Sequence, residues 1–187
     1  ENNIYQKTFS DIHEDSKGIM WFALGNDGGL VKYNPETGEM INYLADEEDV
    51  NAISSNTVRA ISEDSKGNIW LGTQNGLNKL DVNTGKFKSY TYTDGLSNDY
   101  IYGVIVDSDD NIWCSTNYGV SMYDQDDDKF IRYYEEDGLA TNEFNGFSYH
   151  MGKDGDIYFG GVNGLTKFNF SVKPFNIFGL LYNILDD

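Results

Sequence analysis

The sequence predicts an all-β fold, because its composition supports a large core and one strand-rich segment recurs along the chain. Aromatic residues make up 15% of the 187 residues, with 14 Tyr, 11 Phe and 3 Trp, which is enough to order a core. No stretch shows convincing helical periodicity. An aromatic anchor recurs at spacings of 49, 43 and 45 residues, at Trp21, Trp70, Trp113 and Tyr158. Recurrence at this period predicts a repeat architecture.

Each repeat reads as four short strands separated by turn residues. The repeats begin near residues 9, 58, 101 and 146. In the second repeat the expected strands cover residues 58–62, 69–73, 77–81 and 87–92, and the segments between them are rich in Gly, Asn and Asp. Those residues tolerate positive φ or bond their own backbone, as hairpin connections require. The fourth repeat breaks off after its third expected strand.

Four-stranded antiparallel units at this period are typical of a β-propeller. We therefore predict about four consecutive four-stranded blades over residues 1–170, forming part of a larger, seven-bladed propeller. Residues 171–187 are expected to be a tail that leaves the last blade. Because an isolated arc would expose an apolar blade face at each end, we expect the remaining blades of a parent propeller or self-association to cover those faces.

The residues around the second anchor carry a family resemblance. The segment EDSKGNIWLGTQNGLNKLD, residues 63–81, resembles the two-component regulator propeller repeat, with its pattern D-x-x-G-x-[IL]-W-[IL]-G-T-x-x-G-[IL]. The matching residues are Asp64, Gly67, Ile69, Trp70, Leu71, Gly72, Thr73, Gly76 and Leu77. Repeat three has Asp110 at the first Gly position, and repeat four has Tyr158 at the Trp position. The resemblance covers about residues 4–170.

In that family the repeats build the periplasmic sensor region of hybrid two-component histidine kinases, whose ligands are oligosaccharides. The resemblance implies that this chain is a periplasmic, ligand-sensing segment that recognises oligosaccharides for signal transduction to a histidine kinase. It also implies that the segment itself is not an enzyme and makes no direct contact with the membrane.

Charge and cysteine content exclude several other functions. The formal net charge of −18 argues against nucleic acid and anionic membrane surfaces as partners. No apolar run approaches the roughly 20 residues that span a bilayer. The single cysteine, Cys114, excludes an intramolecular disulfide and aligns with core positions of the other repeats. Because the chain starts at Glu1 without a signal peptide, we interpret it as a mature or excised segment of something longer.

The sequence contains no GxSxG, HExxH, P-loop or dinucleotide-binding fingerprint, and no cofactor is expected. Two Asp-rich turns, residues 107–111 and 124–128, partly match a calcium loop, but they lack its central glycine and its flanking helices. We interpret them as solvated hairpin turns, with a bound cation as the alternative. His13 and His150 are expected far from the ligand face, in structural or solvated positions.

Propeller geometry identifies the better candidates for ligand binding. Hairpins between the second and third strands, and connections between blades, open onto the same face around the central channel. Aromatic rings stack on the C–H faces of sugars, amides bond hydroxyls, and an arginine suits a carboxylate or sulfate. The candidate residues are Arg59, Asn75, Asn98, Tyr100, Tyr102, Asn117, Tyr118, Asn145, Phe147 and Asn163.

Two alternatives belong to different functional classes. The first is a propeller enzyme such as a lyase that acts on a polysaccharide or a streptogramin. The second is a purely structural set of blades whose parent protein binds its ligand elsewhere.

Overall fold

The computed structural model describes residues 8–169 and 176–180, which form β-strands and two short 3₁₀ turns, Tyr92–Asp94 and Glu135–Asp137. The first blade contains β1 (Phe9–Glu14), β2 (Met20–Leu24), β3 (Gly29–Tyr33) and β4 (Met40–Tyr43). The second contains β5 (Val58–Glu63), β6 (Ile69–Thr73), β7 (Gly76–Asp81) and β8 (Lys86–Tyr90). The third contains β9 (Ile101–Val106), β10 (Ile112–Thr116), β11 (Val120–Asp124) and β12 (Lys129–Tyr133). The fourth contains β13 (Phe144–Met151), β14 (Ile157–Gly161), β15 (Gly164–Asn169) and β16 (Asn176–Leu180).

Each blade is an antiparallel sheet whose strands pair in chain order. The first strands, β1, β5, β9 and β13, form the inner edges, and consecutive blades contact each other through them. The all-β propeller of four four-stranded blades is therefore confirmed. The seven-bladed ring to which we expect these blades to belong stays a prediction.

The turn between the first two strands of a blade is held by an aspartate that also bonds the tryptophan anchor. Asp64 accepts hydrogen bonds from the Asn68 backbone N–H at 2.9 Å and from the Trp70 indole N–H at 2.9 Å. Asp15 bonds Trp21, and Asp107 bonds Trp113, in the same way. This arrangement explains why the repeat pattern couples an Asp to a Trp six positions later.

Three apolar clusters join consecutive blades in the described part of the chain. Each contains one tryptophan anchor, and all three tryptophans are completely buried. Trp70 packs with Val104 and Cys114 between the second and third blades, so the core position expected for Cys114 is confirmed. Because neighbouring sheets supply these clusters jointly, blade packing fixes the rim on which the loops lie.

The fourth blade extends further than the sequence pattern does. The expected repeat ends after three strands, but β16 lies within the expected tail 171–187 and pairs with β15, with Leu180 opposite Leu165. Residues 170–175, which precede β16, contain none of the Asn, Asp and Gly residues that mark the turn before the outermost strand in the other repeats. The rest of the expected tail, residues 171–175 and 181–187, lies outside the described residues.

Polar side chains on the third strands hold the connections that lead into each blade. Asn78 accepts the Ser54 N–H at 2.9 Å, and Ser121 accepts the Ser97 N–H at 2.8 Å. Thr166 likewise accepts the N–H of residue 140 at 3.0 Å. These bonds, made by buried side chains, fix the segments that run towards the inner strands β5, β9 and β13.

Candidate functional site

The candidate site lies on the rim where hairpins meet the connections between blades. The Gln74 N–H donates to the Thr57 carbonyl at 3.3 Å, and the Asn117 N–H donates to the Tyr100 carbonyl at 2.9 Å. Thr57 and Tyr100 immediately precede the inner strands β5 and β9. The hairpins and the connections therefore share one rim, as propeller geometry predicts.

Five side chains from the second and third blades meet there, and we call them the rim cluster: Arg59, Gln74, Tyr100, Tyr102 and Asn117. Arg59 Nη2 donates to the Tyr100 hydroxyl, and the guanidinium lies 4.7 Å from the centre of the Tyr100 ring and 5.7 Å from that of Tyr102. Gln74 Nε2 also donates to the Tyr100 hydroxyl, at 3.3 Å. The Tyr102 hydroxyl donates to Asn117 Oδ1 at 3.0 Å. The candidates Arg59, Tyr100, Tyr102 and Asn117 thus lie together.

Bulges in the inner strands direct Arg59 and Tyr102 into this cluster. The pairing register shifts between Val58 and Ala60, which leaves Arg59 without a partner on β6. The same irregularity leaves Tyr102 without a partner on β10. A bulge bends the strand locally and re-aims the unpaired side chain, so equivalent positions of neighbouring repeats project onto one rim.

Arg59 carries a charge that the described part of the chain leaves unpaired. No carboxylate oxygen of the described residues lies within 4 Å of its guanidinium, and the Tyr100 hydroxyl is its hydrogen-bond acceptor there. The Nε atom is buried without an acceptor. The two tyrosine rings supply cation–π attraction instead, which does not neutralise the positive charge.

The phenol of Tyr102 is a hydrogen-bond donor over the whole physiological pH range. Burial raises its pKa above the usual value, and the negative potential around Tyr100 and Glu143 acts in the same direction. The Arg59 charge opposes these effects only in part. The cluster therefore presents one cation, two tyrosine hydroxyls and two side-chain amides.

Two further candidates make local bonds near the cluster. Asn98 Oδ1 accepts the Tyr100 N–H at 2.9 Å, which shapes the connection before β9. Asn75 is exposed, and its side-chain amide donates to the Ser54 carbonyl at 3.3 Å. Of the two residues in that hairpin, it is Gln74 whose amide reaches the rim cluster.

The remaining candidates lie apart from the cluster. The exposed Tyr118 ring packs on Tyr134, with ring centres 5.6 Å apart. Asn145, Phe147 and Asn163 are exposed on the fourth blade, and Phe147 has a φ of 63°. The structure gives them no shared contact with Arg59.

One partly buried polar contact between inner strands could not be predicted from the sequence motifs. Asp11 Oδ2 accepts both the Tyr149 hydroxyl and the Ile61 N–H, each at 2.8 Å, so it ties the inner strands of three blades together. Burial and the nearby Asp11 charge raise the pKa of Tyr149. A signal was present, because the position of Asp11 is occupied by Ala60 and Gly103 in the next two repeats.

The other titratable groups of interest have structural surroundings. Asp107 uses its oxygens for the Trp113 indole and the Asn111 amide, and Asp124 accepts backbone N–H groups of its own turn. No group of three or more His, Cys, Asp or Glu in the described ranges could hold a metal ion. His13 Nε2 lies 4.0 Å from Glu63 Oε2, at the end of β1 that is opposite to the rim. His150 is exposed.

Comparison with known proteins identifies the repeat. The family model described as two-component regulator propeller matches residues 52–75 and 95–118. Histidine kinase P4 of Formosa agariphila is 36% identical over 80 residues, which are 43% of this chain and 5% of the kinase. This chain therefore spans only a small part of that relative's length.

Solved structures show the same blades. The extracellular domain of the hybrid two-component system BT3049 from B. thetaiotaomicron is 30% identical, with a TM-score of 0.77 over 87% of this chain and 22% of that one. The extracellular domain of BT4673 from the same organism is 21% identical, with a TM-score of 0.74 over 92% of this chain and 24% of that one. Virginiamycin B lyase from Staphylococcus aureus, 17% identical with a TM-score of 0.67 over 90% of this chain and 54% of that one, shares the fold alone.

These similarities agree with an extracytoplasmic location. Within residues 8–169 and 176–180, no helix is long and apolar enough to cross a membrane. Residues 52–75 and 95–118 match the two-component regulator propeller repeat, and the four blades resemble the extracellular domain of a hybrid two-component system.

Proposed function

We propose that this chain is the ligand-sensing segment of a periplasmic receptor region, and that the rim cluster binds an oligosaccharide whose recognition is signalled to a histidine kinase. The observation that carries the proposal is the pair formed by Tyr100 and Tyr102, whose ring centres lie 5.0 Å apart beside a cation and two amides. The match to extracellular domains of two-component systems supports the sensing role.

The chemistry of the cluster suits a sugar. A tyrosine ring offers an apolar face to the C–H groups of a pyranose, while its hydroxyl remains available for hydrogen bonding. The side chains of Gln74 and Asn117 are exposed and together provide amide donors and carbonyl acceptors. A sugar needs both kinds of group, since each ring presents alternating C–H and O–H surfaces.

We also propose that this segment catalyses no reaction. The lyase alternative predicts new reducing ends or unsaturated products when the protein is incubated with polysaccharides. We expect none. Turnover that persists in His13→Ala and His150→Ala would show that both histidines are bystanders of an enzyme, and the non-catalytic assignment would then be wrong.

Binding is tested by isothermal titration calorimetry with neutral and acidic oligosaccharides from galactan, xylan, alginate and pectin. For any oligosaccharide that binds, Tyr102→Ala should weaken the affinity about tenfold or more, which corresponds to about 1.4 kcal/mol. Tyr118→Ala removes an exposed tyrosine of the same rim outside the cluster and serves as the matched control. Equal losses in both variants would show that binding does not depend on the rim cluster.

A further inference from the structure

We propose that the rim cluster selects sugars that carry an anionic substituent, a carboxylate or a sulfate, and that Arg59 binds this group. The inference rests on the proposed function, because it names the class of oligosaccharide that the same site takes. It is carried by the unpaired charge of Arg59 and by the neutral groups around it.

The missing counter-charge of Arg59 matters because the residue is half-buried and its Nε has no acceptor among the described residues. There are 31 Asp and Glu residues against 13 Lys and Arg, so a cation has many carboxylates available. Lys79 lies 3.8 Å from Asp64, and Lys88 lies 3.8 Å from Asp128. The hydrogen bond and the two cation–π pairs of Arg59 are, by contrast, made with Tyr100 and Tyr102. A guanidinium without a carboxylate partner keeps its fork of N–H donors for an incoming anion.

The other arginine shows what a structural role looks like in this fold. Arg132 donates from Nε to the Gly95 carbonyl at 2.7 Å and from Nη2 to the Tyr92 carbonyl at 3.1 Å. Both bonds tie β12 to the connection before the third blade. Arg59 makes no bond to a carbonyl within the described residues, and its Nε is left without an acceptor. Leaving a buried donor unsatisfied destabilises the free conformation, which an anionic acceptor bound after a small rotation of the guanidinium would relieve.

The high negative charge of the whole chain does not prevent this selectivity. At physiological ionic strength charges are screened beyond about 8 Å, so distant carboxylates act weakly on a bound ligand. Glu143 is the carboxylate whose charge acts on Tyr102. Its removal in Glu143→Gln should therefore strengthen the binding of an anion.

Nitrogen-15 NMR of the intact chain tests the inference directly, because two arginines give only two Nε–H signals. Sodium glucuronate and sodium sulfate are the probes, with glucose and sodium chloride at matched ionic strength as controls. The spectrum of Arg59→Lys lacks the Arg59 signal and therefore assigns both signals. We expect glucuronate and sulfate to shift the Arg59 signal in a saturable way, with apparent dissociation constants about tenfold lower than that of glucose. The Arg132 signal should not move, and Glu143→Gln should lower the apparent dissociation constant for both anions.

The outcomes separate this inference from the proposed function. If glucose and glucuronate shift Arg59 equally, or neither shifts it, the anionic selectivity is wrong, while oligosaccharide binding at the tyrosines can still hold. If the anions bind at Arg59 but no oligosaccharide is detected by calorimetry, the anion site stands and the proposed function fails. Chloride shifting the signal as strongly as sulfate would reduce the effect to unspecific screening and overturn the inference.

Discussion

Asp64 shows how one side chain can determine the structure of a whole repeat. Its carboxylate accepts two backbone N–H groups of the turn, the Asn68 side chain and the Trp70 indole, although it is itself buried. Burial alone would raise its pKa, but the bonds from Asn68 and Trp70, together with the Lys79 charge, hold the pKa below the usual value. The fourth blade lacks this Asp–Trp hydrogen bond. Instead, Asp156 forms an ion pair with Lys167, whose amine also lies over the Tyr158 ring.

Replacing Asp64 by alanine should lower the free energy of unfolding by about 2–4 kcal/mol, because it leaves the buried Trp70 indole N–H and the turn N–H groups without acceptors. Urea unfolding monitored by tryptophan fluorescence measures the change. Asp109→Ala removes an exposed carboxylate from the equivalent turn of the third blade and should change stability by less than about 0.5 kcal/mol. If both variants lose the same stability, the Asp–Trp bond is not what stabilises the turn.

The acid dependence of the same residue has a definite sign. A carboxyl group whose folded pKa is depressed contributes stability above its unfolded pKa of about 3.9. That contribution is lost as the pH falls through the lower folded value. Asp64→Asn should therefore be less acid-sensitive than the unmodified chain below about pH 4, when both are compared by urea unfolding.

At the scale of elements, β13 is the most irregular inner strand. Its pairing with β14 shifts register between Phe144 and Tyr149, and Phe147 within that interval has a φ of 63° while 67% of its side chain is exposed. A positive φ is strained for an aromatic residue and suits glycine. The side chain is thus held in a strained position without gaining burial.

Phe147→Gly should leave the stability unchanged or raise it by up to about 1 kcal/mol, because relief of strain offsets the entropy that glycine loses on folding. The equivalent change in the third blade, Tyr102→Gly, removes a packed ring from a residue that does not have a positive φ, and it should destabilise the protein. Thermal unfolding compares the two. A clear loss of stability in Phe147→Gly would mean that the ring packs in solution or that the strand does not adopt this conformation.

The strands that could be predicted are those with one consistently buried face. In the second blade the expected strand at residues 69–73 coincides with β6, and the others agree within one or two residues. Strand β16 was not predicted, because residues 170–175 before it contain none of the Asn, Asp and Gly residues that mark the turn before β8. In the site, Arg59 and Tyr102 were predictable because they occupy equivalent positions of neighbouring repeats. The contacts of Asn98 and Tyr118 were not, since each depends on a local turn or ring partner.

At the scale of the whole molecule, the first blade presents a face that resembles a buried one. Six apolar residues of the first blade occupy positions whose equivalents in the second blade face the preceding blade. The first-blade residues are Phe9, Ile12, Met20, Phe22, Tyr33 and Met40, and their second-blade equivalents are Val58, Ile61, Ile69, Leu71, Leu80 and Phe87. All six second-blade residues are at most 6% exposed, whereas Ile12 is 57% exposed. If this face leaves about 400 Å² of apolar surface in water, the cost is about 10 kcal/mol.

We propose that this face packs against the tryptophan-bearing face of a further blade, as the second blade packs against Trp21. In a solution of this chain alone, we expect this face to pack against the Tyr158-bearing face of the fourth blade in a second copy, which is a head-to-tail contact. Sedimentation equilibrium should show concentration-dependent association that Ile12→Asp abolishes. Val50→Asp, at a residue 91% exposed, is the matched control and should associate normally. A monomer at all concentrations would contradict this contact.

The central claim, that the rim cluster is the ligand site of this propeller, is tested most directly by a crystal structure of the chain with an oligosaccharide that binds it in calorimetry. The account predicts a sugar ring in van der Waals contact with Tyr102, at about 4 Å, and an anionic substituent on the Arg59 guanidinium. A sugar bound instead in the acidic groove lined by Asp109, Asp124 and Asp127, or on an open blade face, would contradict it.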